Sequence, residues 1–471
     1  MAKQTLGPSI LSFKGRRGRG RFPAPFTVLL ILLLFGCRGN DNPTLPSLPA
    51  DVTNVSNDKT FSIAPAAAAS GNQVYVAWAD QGNAQTFDIF LSRSANGGTD
   101  FDSPLNISQT NDSSLNPRIA LSGNTVYVVW EEFISAKNES DILFRKGEDQ
   151  GGTWVWTPPL SEPGMNLSAS ATPCKNETDQ TTPAPCPSQF PDIAVDGNRI
   201  FVAWAEENDY EFKILGAATD FVIINSDIQM AVSQDSGTTF TSPINVSGSN
   251  KKICGGVAAP TPSVSPALAA ANGRLYLAWE DCLSQASAGK FGKVVFRRFD
   301  DSGNVTPPTQ DPITLSDPFK SSSRPNLAAQ GDQVYAAWEE FFVGERPAGV
   351  PCTTADVLFN TSSQRGADFS TAAGPVAVNL SNTRCGFNAS SAKVAASGPF
   401  VYVAWQDNSP DNLGISLRRS VNNGTDFGNR EDLSRTSGSA GTPALAPVGS
   451  LLYAFWEDST LGNLEILFAR R

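Results

Sequence analysis

The sequence predicts an all-β fold, a seven-bladed β-propeller of four-stranded blades, on three observations. A strand phrase ending in Trp occurs seven times, turn residues recur at matching offsets, and a fragment of the last repeat stands near the start of the chain. At 471 residues the chain exceeds the ~250–300 at which a single ordinary core stops growing, so a repeat is the first thing to seek. With 40% hydrophobic and 17% charged residues, 39 Gly and 33 Pro, the composition suits short strands joined by turns rather than long charged helices.

The phrase reads VYVAW to Trp78, VYVVW to Trp130, IFVAW to Trp204, LYLAW to Trp279, VYAAW to Trp338, VYVAW to Trp405 and LYAFW to Trp456. β-Branched and aromatic residues alternating with small ones make it a strand. Upstream, at a fixed offset, stand Pro65, Pro117, Pro191, Pro266, Pro325 and Pro443, with Ala392 in the sixth copy. Proline is tolerated at the start of a strand, where its missing N–H matters least. Three residues further on, each copy has Ala (Ala68, Ala120, Ala194, Ala269, Ala328, Ala395, Ala446), as an innermost strand crowded toward an axis requires. A third strand follows each Trp after a variable loop (DIFLSR in the first copy, EILFAR in the last), and a fourth ends in Ser108, Ser168, Ser247, Ser316, Ser381 and Ser434.

The seventh copy stops at Arg471 after its third strand, and its missing piece is Asn54-Val55-Ser56, which matches Asn106-Ile107-Ser108 and Asn166-Leu167-Ser168. An open solenoid has no reason to carry its final strand at its start; a closed ring does, with residues 52–56 completing the last blade. Six-fold closure would leave one Trp unit unplaced. The repeat Trp residues are expected between blades, each burying ~150–250 Å², or about 4–6 kcal/mol gross at ~25 cal/mol/Å² before entropy is charged.

Three segments are expected: residues 1–36 as an export signal, 37–50 as a tether and 51–471 as the propeller. Basic residues Lys14 to Arg21 precede the apolar run Phe26–Phe35, too short to span a ~30 Å hydrocarbon core and therefore signal-like. Leu34-Phe35-Gly36-Cys37 resembles the bacterial lipobox, which implies that Cys37 is lipidated and that the protein sits on the bacterial membrane, at the outer membrane or cell surface. The stretch after Cys37 is polar and Pro-rich, as a tether should be. The remaining cysteines, Cys174, Cys186, Cys254, Cys282, Cys352 and Cys385, are even in number for an oxidising compartment. All six fall in the expected loops of one face. The economical pairing is 174 with 186, 254 with 282 and 352 with 385, among the 15 that six cysteines allow.

Between the third and fourth strands lie Ser94-Ala-Asn96-Gly-Gly98-Thr-Asp-Phe101, Asp149-Gln-Gly151-Gly-Thr153-Trp154, Ser233-Gln-Asp235-Ser-Gly237-Thr-Thr239-Phe240, Ser362-Ser-Gln364-Arg-Gly366-Ala-Asp-Phe369 and Ser420-Val-Asn422-Asn-Gly424-Thr-Asp-Phe427. These resemble the Asp-box of the bacterial neuraminidase repeat family, which implies a sialidase-like propeller. Physically, a carboxylate or amide bonds hairpin N–H groups, Gly supplies positive φ and the aromatic closes the turn. The resemblance carries the fold alone. That family's arginine triad begins before the first box, and Asp51–Ser92 contains no Arg; its tyrosine nucleophile has no counterpart late in this chain, where Tyr335, Tyr402 and Tyr453 are strand-phrase residues. Its six blades also differ from the seven counted here.

The chain carries 35 Lys+Arg against 46 Asp+Glu, net −11, with six of the basic residues before position 37. That surface repels phosphate backbones, so nucleic acid is not an expected partner. With no histidine, imidazole acid–base chemistry and His-ligated metals are excluded. An acid stands two residues after every repeat Trp (Asp80, Glu132, Glu206, Asp281, Glu340, Asp407, Asp458), several with a partner where the third strand begins (Asp88, Asp141, Asp227, Asp356, Glu465). Such pairs could hold Ca²⁺, the one cofactor to consider, or cleave glycosides. Their recurrence argues for structure, because a catalytic pair is needed once.

Functional residues should instead break the repeat. The position after the strand-one Pro is Ala66, Ala267 and Ala444 in three blades but Arg118, Asp192, Asn326 and Lys393 in the others. These four are the expected ligand-binding residues at the channel mouth. Tyr210 joins them, as the one Tyr outside the strand phrase, in an insertion after Trp204 read as a solvated loop or a ligand-facing lid. The expected function is binding of a glycan or protein partner by a monomer, without catalysis. A divergent exo-acting glycoside hydrolase of sialidase type and a scaffold subunit of an envelope complex are the alternatives.

Overall fold

The computed structural model describes residues 47–82, 86–135, 139–150, 153–168, 174–176, 183–184, 187–214, 220–247, 263–281, 292–299, 312–317, 320–345, 351–370, 376–409 and 412–471. They belong to one compact unit, Leu45–Arg471. Cys37, Cys186, Cys254 and Cys282 lie outside them.

Seven sheets form the ring, each with four antiparallel strands side by side; the second also holds Trp154–Thr157, and the third Cys174–Asn176, which runs parallel to its neighbour Arg199–Ile214, and Pro183–Ala184. The first blade consists of Ser62–Ser70, Gln73–Asp80, Asp88–Ser94 and Leu105–Asn106, from the axis outward. No α-helix occurs among the described residues; Asp368–Ser370 forms a single 3-10 turn. The outermost strand of the seventh blade is Val52–Asn54, which pairs antiparallel with Glu465–Arg470, Val52 opposite Ala469 and Asn54 opposite Leu467. Two further bonds extend the seam: Val55 N–H donates to Ile466 O at 2.8 Å, and Ser56 Oγ accepts Ile466 N–H at 2.8 Å. The ring is therefore closed by the N-terminal strand, as the displaced repeat fragment predicts.

All seven repeat Trp side chains are fully buried, and each packs against the preceding blade. Trp130, for example, sits with Ala77, Ile89 and Leu91 of the first blade. Trp78 reaches across the closure to Ala444 and Phe455 of the seventh. Seven such clusters, one per interface, replace a single central core.

The Ser–Gly turns of the first, third, fifth and sixth blades add a second interblade contact at the opposite end of the sheet. In the third blade, Ser233 Oγ accepts Gly237 N–H at 2.8 Å, and Asp235 Oδ1 accepts the N–H groups of Thr238 and Thr239 at 3.0 and 2.9 Å. Phe240 then meets Phe144 of the second blade edge-on, ring centroids 4.8 Å apart. Phe369 on Phe296 and Phe427 on Phe359 repeat the arrangement.

Two expectations about loops are corrected. The insertion after Trp204 is not a loop: Arg199–Ile214 and Asp220–Ser233 form one long hairpin, paired as far as Ile214 opposite Asp220. The fifth blade does likewise with Gln333–Glu345 and Pro351–Ser362, so Cys352 stands in a strand, opposite Gly344. Cys174 too lies in a short strand, Cys174–Asn176, rather than in a loop. Backbone groups of long connections must be satisfied, and pairing with each other achieves this without a new partner.

Candidate functional site

The innermost strand of every blade contains a bulge directly opposite its Trp. In the first blade Ile63 faces Ala79 and Ala66 faces Ala77, so Ala64 and Pro65 together oppose Trp78. The same register shift occurs in the other six. The residue before the proline position is left-handed each time: Ala64, Asn116, Phe190, Ser265, Arg324, Ser391 and Thr442, with φ between 46° and 55°. That conformation costs a non-glycine residue about 1–2 kcal/mol, and a following proline disfavours it further. Bulges re-aim side chains, and here the first residue after the bulge lines the axial cavity in six of the seven blades.

In four of the seven blades a carboxylate from the preceding blade holds the strained residue. Ala64 N–H donates to Glu457 Oε2 at 3.0 Å and Ser391 N–H to Glu339 Oε1 at 2.7 Å. Phe190 N–H donates to Glu131, and Arg324 N–H to Glu280. Each of these acids stands immediately after its Trp. Sequence reasoning missed them, although the signal was there: the position is Glu in four copies, Ala79 and Ala205 in two, and Gln406 in one. Burial raises all four carboxyls, Glu131 to about 6 and Glu280 to about 7, because a carboxylate between blades loses its water.

Arg118, Asp192, Asn326 and Lys393 are brought together. They line one axial cavity of about 200 Å³ with Pro65, Ala66, Leu268 and Ala444 among its other walls. Four blades thus contribute one polar residue each, while alanines from the first and seventh keep the space open. Asp192 Oδ2 accepts Leu268 N–H at 2.6 Å, and Asn326 Oδ1 accepts Val394 N–H at 2.8 Å, so both are oriented by the next innermost strand around the ring. Arg118 donates to its neighbour Pro117 O at 2.9 Å and stands 3.9 Å from Asp192 Oδ1, beyond hydrogen-bonding reach. Lys393 is half-buried and, among the described residues, has neither a hydrogen bond nor an ion pair. Burial, with repulsion from Arg118, lowers its ammonium to about 8, while Asp192 and Glu339 act the other way. Burial likewise raises Asp192, and Arg118 opposes that rise.

Tyr210 is not among the residues lining this cavity. Its backbone lies on the long hairpin of the third blade, opposite Ile224 and alongside Asn176; its side chain is outside the described set.

The recurring acids are occupied by the scaffold. Asp80 Oδ2 accepts Trp78 Nε1–H at 2.9 Å and Ser62 Oγ–H at 2.8 Å, and Glu132 and Glu206 bind their own Trp and Ser in the same way. Burial raises Glu206 to about 7. The third-strand acids anchor the outermost strand instead: Asp88 accepts from Ser108 Oγ at 2.7 Å and Asn106 Nδ2 at 2.8 Å, and Asp356 from Ser381 Oγ at 2.8 Å. Among the described residues no group of three or more Cys, Asp or Glu side chains is placed to hold a metal ion.

No protein-family profile matches the chain, and no curated protein does. Solved structures do resemble it. An ulvan lyase from a new polysaccharide lyase family aligns with a TM-score of 0.52 and 11% identity over 88% of this chain and 95% of that one. A mutant Trypanosoma rangeli sialidase with trans-sialidase activity gives 0.43 and 11% over 90% of this chain; this chain spans only 59% of that enzyme. A Penicillium chrysogenum α-L-arabinanase complexed with arabinobiose gives 0.42 and 11%, covering 90% and 98%. At these identities the likeness is one of fold alone.

Proposed function

We propose that this chain is an exported, lipid-anchored propeller that binds a glycan or protein partner on its loop-rich face, with the axial cavity at the centre of the binding surface. The observation that carries this reading is the convergence of Arg118, Asp192, Asn326 and Lys393, the four residues that break the repeat, on one cavity. Glycoside hydrolysis by the common route needs two carboxyl groups about 5–9.5 Å apart across the scissile bond. Asp192 is the single carboxylate among the described residues of the lining, and it already accepts a backbone N–H.

A second reading, cleavage of a polysaccharide, has one observation in its favour. Lys393, lowered to about 8, can take up a proton near neutral pH, and Arg118 opposite it can neutralise developing negative charge. The likeness to an ulvan lyase adds only that such a fold accommodates that work elsewhere. The two readings separate in a screen of the purified chain against fluorogenic glycosides, sialosides included, and acidic polysaccharides. Binding without turnover supports the first; turnover lost in both Asp192→Asn and Lys393→Met establishes the second. Pull-down from envelope extracts tests a scaffold role.

The address rests on Cys37 and the preceding apolar run, and the three disulfides on cysteine number. For the pair Cys352 and Cys385 there is further support. Cys385 is disulfide-bonded, and Gly386 N–H donates to Thr353 O at 3.2 Å, which brings the two backbones side by side.

A further inference from the structure

We infer that the axial cavity is an oxyanion site, which takes a singly charged group such as a carboxylate or a sulfate ester. This rests on the reading of the cavity as the binding centre and names what that centre recognises.

Three features carry the inference. The first is a cation without a direct contact: Lys393 Nζ, half-buried in the lining, makes no hydrogen bond or ion pair with a described residue, although burying a charge is costly unless it is paired. The second is the donor set. Asn326 commits its Oδ1 to Val394 N–H, which fixes the amide and leaves Nδ2 without a protein partner, while Arg118 has most of its guanidinium N–H groups unused. Unused donors therefore come from three separate blades, and a planar guanidinium beside an ammonium suits an oxygen-bearing anion. The third is charge. Arg118 and Lys393 against Asp192 leave the lining with one net positive charge, inside a protein whose overall charge is −11. A monoanion neutralises that excess; a dianion overshoots it. Arg324 and Glu339 are the remaining charged groups acting on Lys393, and they face each other at 3.4 Å, so they cancel to first order. The cavity of about 200 Å³ admits one such group with part of a sugar ring or short chain behind it, not a whole oligosaccharide. The anion would be the end of a ligand whose remainder lies across the loop-rich face.

The test is calorimetric titration of the purified chain with methyl β-glucuronide, methyl β-glucoside, acetate, methyl sulfate and inorganic phosphate. The expected result is at least tenfold tighter binding of the glucuronide than of its neutral counterpart, competition by acetate or methyl sulfate, and weakening as pH rises past 8 and Lys393 loses its proton. Which of acetate and methyl sulfate competes better separates a carboxylate ligand from a sulfate ester. Lys393→Met should lower affinity at least tenfold, and Lys393→Arg should keep most of it. Should the Met variant fail to fold, the native chain gives the same answer through acylation of Lys393 by an amine-selective reagent, slowed at least threefold by a saturating anion. Equal affinity for glucuronide and glucoside, no anion binding up to 100 mM, or full affinity in Lys393→Met overturns the inference. Capture of a neutral glycan or a protein that ignores added anions overturns it too, yet leaves the binding reading intact.

Discussion

Glu457 accepts the backbone N–H of Ala64 at 3.0 Å, across the seam where the seventh blade meets the first. The bond joins a buried carboxylate to a left-handed residue that the bulge requires, so one side chain settles both the strain and the blade spacing. Thr442 Oγ1 also donates to Glu457, at 2.9 Å.

Removal of that carboxylate leaves a buried N–H without an acceptor. Glu457→Ala should lower stability by about 1–3 kcal/mol in denaturant titration, and Glu457→Gln, which keeps an acceptor oxygen, by less. Glu457 is not part of the axial lining, so anion affinity should not change in either variant.

The turn glycines are constrained twice. Gly237 has φ of +76°, and a Cβ there would lie 2.7 Å from Phe144 Cζ of the preceding blade. Gly237→Ala should therefore combine left-handed strain of about 1–2 kcal/mol with overpacking of about 1–3 kcal/mol. Thermal unfolding of the variant beside Gly71→Ala, which shares the positive φ but meets nothing within 4 Å, separates the two contributions.

Stability should rise as pH falls from 8 toward 5. Glu206 and Glu280 are raised to about 7 and Glu131 to about 6, each chiefly by burial, so the folded chain holds protons that the unfolded chain releases. A raised folded pKa gives stability that is fully present below the unfolded value near 4.5 and is lost as pH climbs through the folded one. Asp235 works in the opposite direction: its bonds to Thr239 and Ser233 hold it well below the usual carboxylate range, so its contribution is lost only below about pH 4. Melting temperature against pH should peak on the acid side, and Glu206→Gln should flatten the decline above pH 6. A curve that peaks near pH 8 contradicts the assignment.

If Cys37 is the acylated residue, expression of the full chain in a bacterium with labelled palmitate should label it, and Cys37→Ala should abolish both label and membrane association. Label that persists in the variant removes the lipid anchor from the account.

The propeller was legible because its signal repeats: seven Trp phrases and a displaced Asn54-Val55-Ser56 leave few architectures open. Arg118, Asp192, Asn326 and Lys393 were legible for the converse reason, as polar residues at a position otherwise occupied by Ala. The interblade acids Glu131, Glu280, Glu339 and Glu457 were not, because an invariant acid one residue further on drew attention to the other face of the strand. Neither was the hairpin around Tyr210. Its polar residues Glu206 to Asp209 resemble a loop, although Tyr210, Phe212 and Ile214 alternate as a strand does. Short-range composition competed there with a pairing that only the neighbouring strand reveals.

Closure of the ring is what lets residues from the second, third, fifth and sixth blades meet at one axis, and deletion of residues 51–61 from the otherwise full chain tests it most directly. Without Val52–Asn54 the edge of Glu465–Arg470 is unpaired and the seam between the last and first blades opens. Calorimetry should show that the single cooperative transition of the intact chain is lost. A truncated chain that melts in one transition at the same temperature would contradict the closed ring.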